Sequence, residues 1–509
     1  MTPRALPVLA AVTPDEDYIE SIRVIDEAVE EFPYQDIRRG DLVGISIQTA
    51  NASYGYKLAS RVRELGATVV FGGPHTSIFP EETLLHGHAA VTGDAEIVWA
   101  QVLKDYAAGN LQPKYKGGRV DPEAFTPARW DLMKLDRYLM ASVQTVRGCP
   151  KQCSFCSVWV QDGRIPRLRT NDAIIEEVQQ LYRAGFRTIL FADDNFYPYT
   201  LQDIANARSE EERESLEAGM QNRLELLDRL ATEVPDDMHF CTQITMEVAD
   251  DPEYLAAMKR AKLVGALIGI EAVTPEGLKA TNKEWNSTGD ELVRKLDTIR
   301  RDGFPFILGS LIFGIESDTR QSLDYTIQFA RSSGITMAQF IPLMPYPGTV
   351  DFALMKRGKK AIKLKDVDYA YWLDPDHPRI LFEHPNMKEE ELMQKVDKAW
   401  TSFYSIASIL KRARRLGFTS PKKLLGYFVL SRGFLTRYRR FGLSADSAVR
   451  GGHPKLANLL GRIAMAILKR PPTDLNPPPT DLRRPPTDLR PSPAELKAPP
   501  DESAEAVAG

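Results

Sequence analysis

Six short runs of apolar and β-branched residues recur between Ser142 and Ile341, and stretches of helical periodicity separate them. They are Ser142–Val146, Thr188–Phe191, His239–Ile244, Ala266–Ile270, Ile307–Phe313 and Thr336–Ile341. Asp172–Ala184 is one of the intervening stretches, with Ile175, Val178 and Leu181 on one helical face. Strands alternating with helices argue for parallel βα units, because a parallel pairing needs a crossover of a dozen or more residues. Six units are what a partial (β/α)6 barrel requires, and the chemistry of such barrels collects at the carboxyl ends of the strands. The barrel is expected over residues 136–350.

The first strand runs into Cys149-Pro-Lys-Gln-Cys153-Ser-Phe-Cys156, which holds three of the four cysteines of the chain. Thiolate is a soft ligand that selects iron–sulfur clusters, zinc or copper(I). Zinc and ferredoxin-type clusters normally take a fourth Cys or His. The fourth cysteine, Cys241, lies far along the chain beside Phe240. Three thiolates on a four-iron cluster leave one iron open to a further ligand.

This loop, with Phe155 as its aromatic, resembles the signature of the radical S-adenosylmethionine (radical SAM) enzymes. The resemblance implies that Cys149, Cys153 and Cys156 hold a [4Fe–4S] cluster whose open iron binds SAM, and that one electron cleaves SAM to a 5′-deoxyadenosyl radical. It also implies SAM contacts at Phe155, at Asp193 and Asp194 after the second strand, at Glu271 after the fourth, and at Gly314 in Gly309-Ser-Leu-Ile-Phe-Gly314. Asp193 or Asp194 would hold the amino group. Read without the resemblance, the aspartates could be helix caps, Glu271 a salt-bridged barrel residue and Lys283 a solvated helix lysine. Pro345-Tyr-Pro-Gly348-Thr349 resembles the turn that ends the barrel in one subgroup.

Residues 1–135 carry strand-like Asp41–Ile47, Thr68–Phe71 and Ala89–Thr92, with helical Gly55–Gly66 between the first two. That rhythm suits a doubly wound, Rossmann-like parallel sheet. Ser46, Gly72-Gly73-Pro74-His75 and Gly93-x-x-Glu96 resemble the cobalamin-binding domain that precedes the barrel in that subgroup, so Ser46, Gly72, Gly73, Gly93 and Glu96 are the implied cobalamin contacts. Two departures stand out. The chain reaches Leu9-Ala-Ala-Val-Thr-Pro14 without the strand that usually comes first, and no D-x-H-x-x-G loop offers a histidine to cobalt. His75, His86 and His88 are expected at the surface or in loops.

Beyond the barrel, residues 351–410 are expected as an aromatic-rich α/β extension that either shapes a substrate pocket or packs on the barrel. Lys411–Arg470 has fifteen Lys/Arg against a single acid, Asp446, interleaved with apolar runs. Such a helical region suits an anionic membrane surface or a basic cap, and no recognised nucleic-acid module accompanies it. Pro-Pro-Thr-Asp-Leu repeats three times from Pro471 at a seven-residue period, which reads as an extended tail over 471–509.

Clustered cysteines argue for a reducing compartment. No signal peptide and no membrane-spanning run is visible, so the expectation is a cytoplasmic enzyme, peripheral at most to the membrane. The function implied by the resemblance is a cobalamin-dependent methyltransferase acting on an unactivated carbon of a small-molecule substrate, served by a flavodoxin- or ferredoxin-type electron donor, and the basic, apolar C-terminal region extends the expectation to a lipid-like substrate. A cobalamin-independent radical SAM enzyme that forms rings, oxidises or joins carbons is the second reading, and a non-catalytic cluster-bearing or RNA-binding protein the third.

Overall fold

A computed structural model describes residues 1–365, 380–417 and 420–441 of the 509-residue chain. Tyr369, Tyr371 and Trp372, the region beyond Phe441 and the proline-rich repeats lie outside the described residues.

The N-terminal sheet has four strands: β1 (Leu42–Ser46), β2 (Thr68–Gly72), β3 (Ala89–Gly93) and β4 (Lys114–Gly118). All pairings are parallel and the order is β1-β2-β3-β4. The helix Ala52–Glu64 joins β1 to β2 and buries Tyr56, Leu58, Ala59 and Val62 against Val69 and Phe71. Strand β4 escaped the sequence reading because Lys-Tyr-Lys-Gly-Gly is short and buries only Tyr115 and Gly117. Among the described residues no strand precedes β1, so β1 is an edge and the order does not reverse.

The second sheet is the barrel. Its strands are β5 (Ala141–Val143), β8 (Thr188–Phe191), β9 (His239–Ile244), β10 (Leu263–Glu271), β11 (Phe306–Phe313) and β12 (Met337–Pro342). They are parallel and sequential, in the order β12-β11-β10-β9-β8-β5. Between β5 and β8 a two-residue antiparallel ribbon, β6 (Val146–Arg147) with β7 (Arg167–Leu168), forms the neck of the cysteine loop. Alternation assigns the strand faces. On β9, Phe240, Thr242 and Ile244 are buried under the outer helices, whereas Cys241 and Gln243 are half-buried on the inner face.

A partial barrel leaves two edges whose backbone groups need partners. At β5 the first residues of the chain supply them: Thr2 N–H donates to Met140 O (3.1 Å) and Ser142 N–H donates to Thr2 Oγ1 (2.9 Å). Arg4 then pairs with the fully buried Glu177 at 2.6 Å. At β12 the aromatic extension does so. The Tyr404 hydroxyl accepts from Ala338 N–H (3.0 Å) and donates to Ala338 O (2.7 Å), Trp400 Nε1 donates to Phe340 O (2.9 Å), and Tyr427 donates to Thr336 O (2.6 Å). Trp400, Tyr404 and Tyr427 thus act on the barrel edge.

Candidate functional site: the cysteine loop at the barrel mouth

The cysteine loop leaves at Arg147 and returns at Arg167. Gly148 has φ +90°, and a Cβ there would lie 2.8 Å from Ile165 O, so only glycine lets the loop turn at that point. Cys149 N–H donates to Gly163 O (3.0 Å), Cys156 N–H to Cys153 O (3.1 Å) and Trp159 Nε1 to Cys153 O (3.0 Å). Across the mouth the loop is tied to later elements. Ser154 N–H donates to Thr281 O (3.1 Å), Asp351 N–H to Ser154 O (2.9 Å), and the Asn282 amide to Gln152 O (2.7 Å). Phe155 is half-buried against the barrel core.

All three cysteines are free thiols. Burial pushes Cys149 up to about 11 and Cys156 up to about 12, with the Cys153 sulfur raising both further. Such thiols stay protonated until a metal displaces the proton. Among the described residues no three His, Cys, Asp or Glu side chains are gathered to hold a single ion. Thiols spaced along a loop suit a cluster, whose irons occupy separate corners.

The two aspartates after β8 do different work. Asp193 is fully buried and accepts from Thr145 N–H (2.5 Å), Val146 N–H (3.1 Å) and the Thr145 hydroxyl. Arg223, buried on the long helix Glu210–Glu233, donates to Thr145 Oγ1 (2.9 Å) and stands 3.9 Å from Asp193. Asp193 therefore pins β8 to the neck of the loop. Asp194 is only half-buried and accepts from Gly148 N–H (2.7 Å). Burial, with Asp162 and Asp193 nearby, pushes its carboxyl up to about 7. Of the pair, Asp194 is the one with room for an outside cation.

At the end of β10, Glu271 sits at φ +61°, a left-handed conformation that costs a glutamate on the order of 1–2 kcal/mol. It pairs with buried Lys283 at 3.1 Å. Gly269 makes the space: a Cβ there would lie 2.2 Å from Glu271 Oε1 and 2.7 Å from Lys283 Nζ. Burial alone would lower the lysine, but Glu271 and the Cys153 sulfur overcome it and hold the ammonium above its ordinary range. Lys283 is not solvated, because the Trp-Asn turn that follows folds it inward. Lys151, within the cysteine loop, reaches Glu247 (2.8 Å) and Asp203 (3.4 Å). Both ammonium groups approach the Trp285 ring, Lys151 at 5.1 Å and Lys283 at 5.0 Å from its centre. Gly314 (φ +93°) is held by Asp318, which accepts from Gly314 N–H (2.8 Å) and Ile315 N–H (3.0 Å). Arg223, Lys151, Glu247 and Asp318 were missed in the sequence. Only Asp318, one residue before a Thr-x-x-Ser helix start, left a local signal.

Residues 143–330 match the family model described as the Radical SAM superfamily. The chain carries a radical SAM domain over these residues. It is 27% identical over 353 residues to the bacteriochlorophyllide d C-8(2)-methyltransferase of Chlorobaculum tepidum, covering 68% of this chain and 74% of that one. To the hopanoid C-2 methylase of Rhodopseudomonas palustris it is 28% identical over 357 residues, 69% of this chain and 63% of that one. Among solved structures, the radical SAM methyltransferase TsrM of Kitasatospora setae, with cobalamin and a [4Fe–4S] cluster bound, superposes with a TM-score of 0.57 at 14% identity, covering 86% of this chain and 90% of that one. The radical SAM core thus implies a [4Fe–4S] cluster and SAM, and three free thiols beside a half-buried carboxylate fit both.

The strand ends of the N-terminal sheet face this mouth. Arg147, two residues before Cys149, meets Glu96 (2.6 Å) and Asp94 (3.2 Å), and Arg167 meets Asp94 (2.9 Å). Glu96 is therefore a clamp onto the radical SAM core. The chain itself explains two of the glycines: a Cβ on Gly73 would lie 2.7 Å from Ile47 O, and one on Gly93 would lie 2.6 Å from Gly118 O. Ser46 is exposed and a Cβ on Gly72 would have room, so these two are open to a ligand. Each histidine has a task inside the domain. His75 is fully buried, not at the surface, and bonds Thr49 Oγ1 (3.1 Å); His86 stacks on Tyr56 (3.9 Å); His88 Nδ1 accepts from Val69 N–H (2.9 Å).

Proposed function

We propose that this protein is a cobalamin-dependent radical SAM methyltransferase acting on an unactivated carbon of a small, lipid-like substrate. The observation that carries the reading is the meeting of two mouths: the cysteine loop of the core and the open strand ends of the N-terminal sheet, joined by Arg147. Support comes from relatives named as methyltransferases of bacteriochlorophyllide d and hopanoids, and from likeness to TsrM and to OxsB, whose structures contain cobalamin. When bound, the cluster with SAM supplies a 5′-deoxyadenosyl radical and the corrinoid a transferable methyl group.

The chain's own part is to bind, orient and exclude water. Cys149, Cys153 and Cys156 hold the cluster, and Asp194 accepts the amino group of SAM. Glu271 and Lys283 offer a carboxylate and an ammonium of fixed orientation beside it. Cys241, Gln243, Ser310 and Gln339, on inner strand faces, face the substrate, with Gln339 Nε2 donating to Ser310 Oγ at 3.0 Å. Ser46 and Gly72 hold the corrinoid, and a one-electron carrier of flavodoxin or ferredoxin type supplies the electron.

The test is anaerobic reconstitution with iron, sulfide, hydroxocobalamin, SAM carrying a labelled methyl group and a reductant, with a candidate lipid-like acceptor. We expect a stoichiometric corrinoid band, 5′-deoxyadenosine and label in the product. SAM cleavage without bound corrinoid would instead establish the cobalamin-independent reading. No 5′-deoxyadenosine would remove both.

A further inference from the structure

The helices Ile406–Arg415 and Pro421–Phe441 form a hairpin with two contrasting faces. The inner face is committed to the barrel. Arg412 is buried there, donating to Tyr427 Oη (3.0 Å), Phe403 O (2.7 Å) and Ser408 Oγ (2.8 Å), and Tyr427, Ser431 and Leu435 are buried beside it. The outer face exposes Ile406 (58%), Leu425 (63%) and Leu430 (53%). Around them stand exposed Lys411, Arg414, Lys423 and Arg432. A Cβ on Gly426 or Gly433 would meet nothing within 4 Å.

Charge selects the occupant. No acid stands between Asp397 and Asp446, against eleven Lys/Arg, in a chain of net charge −4. An ordinary solvated helix face mixes both signs, and a second copy of a purely cationic face would be repelled. The large apolar residues exposed here are aliphatic. Nucleic-acid surfaces use exposed aromatics to stack on bases, whereas leucine and isoleucine among cations sink into the acyl boundary below anionic headgroups.

We propose that the outer face of this hairpin docks the protein peripherally on an anionic membrane surface, with Ile406, Leu425 and Leu430 inserted and Lys411, Arg414 and Lys423 over the headgroups. No helix among the described residues is long and apolar enough to cross a membrane, and docking needs none. The inference deepens the proposed function by naming where a lipid-like substrate is met, but it is tested without turnover, so either can fail alone.

The experiment is co-sedimentation of the full chain with vesicles of phosphatidylcholine alone, or with about 30% phosphatidylglycerol, in low and high salt. Binding is expected only to the anionic vesicles, and to fall in high salt. Each headgroup cation contributes roughly fivefold, so Lys411→Gln/Arg414→Gln/Lys423→Gln lowers partitioning about a hundredfold. Leu425→Ser/Leu430→Ser weakens it at both salt levels, and unchanged circular dichroism establishes that each variant is folded. Three results would overturn the proposal: equal binding to neutral vesicles, full binding by the triple variant, or tighter binding of a single-stranded RNA oligonucleotide than of the anionic vesicles.

Discussion

Asp318 lends itself to a quantitative test of how the glycine turn at the barrel mouth is held. Its carboxylate is 6% exposed, accepts from Gly314 and Ile315 N–H, and has Ser322 Oγ at 3.3 Å. Burial outweighs these bonds and pushes the carboxyl from 3.8 up to about 6. Between those values the unfolded chain releases its proton before the folded one, so stability falls as pH rises through the window. About two pKa units correspond to about 3 kcal/mol, present below pH 4 and lost above pH 6. Asp318→Asn keeps a carbonyl-type acceptor for both amides and removes the titration. The Asn variant should therefore be more stable than the parent near pH 8, by up to about 3 kcal/mol, and the gap should close towards pH 4. Asp318→Ala, which strands two buried amides but also removes the titration, should cost about 2 kcal/mol or more near pH 4 and correspondingly less near pH 8. Urea midpoints of both variants and the parent, measured across that range on cluster-free protein, give the differences directly. An Asn variant that is clearly less stable than the parent at pH 8 would refute the reasoning, since the charge would then be net favourable where it sits.

Other consequences separate residues that look alike in sequence. Asp193→Asn should lower the melting temperature by several degrees because it loosens the Thr145–Arg223 network, whereas Asp194→Asn should melt normally and cleave SAM at least about tenfold more slowly; thermal melts and 5′-deoxyadenosine yields distinguish them. Tyr404→Phe leaves Ala338 N–H and O without partners at the β12 edge and should cost about 1–3 kcal/mol in denaturant unfolding. Arg147→Met leaves Asp94 and Glu96 facing one cation fewer at a site about one-seventh exposed. It should raise proteolysis of the sheet–barrel junction and reduce corrinoid retention, while iron content in anaerobic preparations stays near that of the parent.

The sequence was most legible where periodicity and chemistry coincided. All six barrel strands were readable because each is a β-branched run with helices between, and the three-thiol loop because its spacing is local. Strand β4 was not, since its two buried positions are a tyrosine and a glycine among lysines. The inward turn of Lys283 was hidden because its partner Glu271 is twelve residues earlier and the space between them exists only through Gly269. Arg223 was hidden for a similar reason: one arginine in a long charged helix looks solvated until the helix is docked on Thr145.

That contrast bears on how the N-terminal sheet should be read. Gly73 and Gly93 matched a ligand-cleft pattern, yet each is demanded by a backbone oxygen of the chain itself, and Glu96 is spent on Arg147. A pattern built from such positions reports that the sheet keeps its turns and its clamp onto the barrel, whether or not anything lies in the cleft. The positions that distinguish a ligand-bearing cleft from an empty scaffold are those the fold does not require, here Ser46 and Gly72. Gly72→Ala has room for its methyl group and should leave stability nearly unchanged, so a severalfold loss of corrinoid affinity in that variant, read by absorbance titration, would speak for occupancy. Unchanged affinity would place the corrinoid elsewhere, and absence of binding in both proteins would leave the clamp as the sheet's purpose.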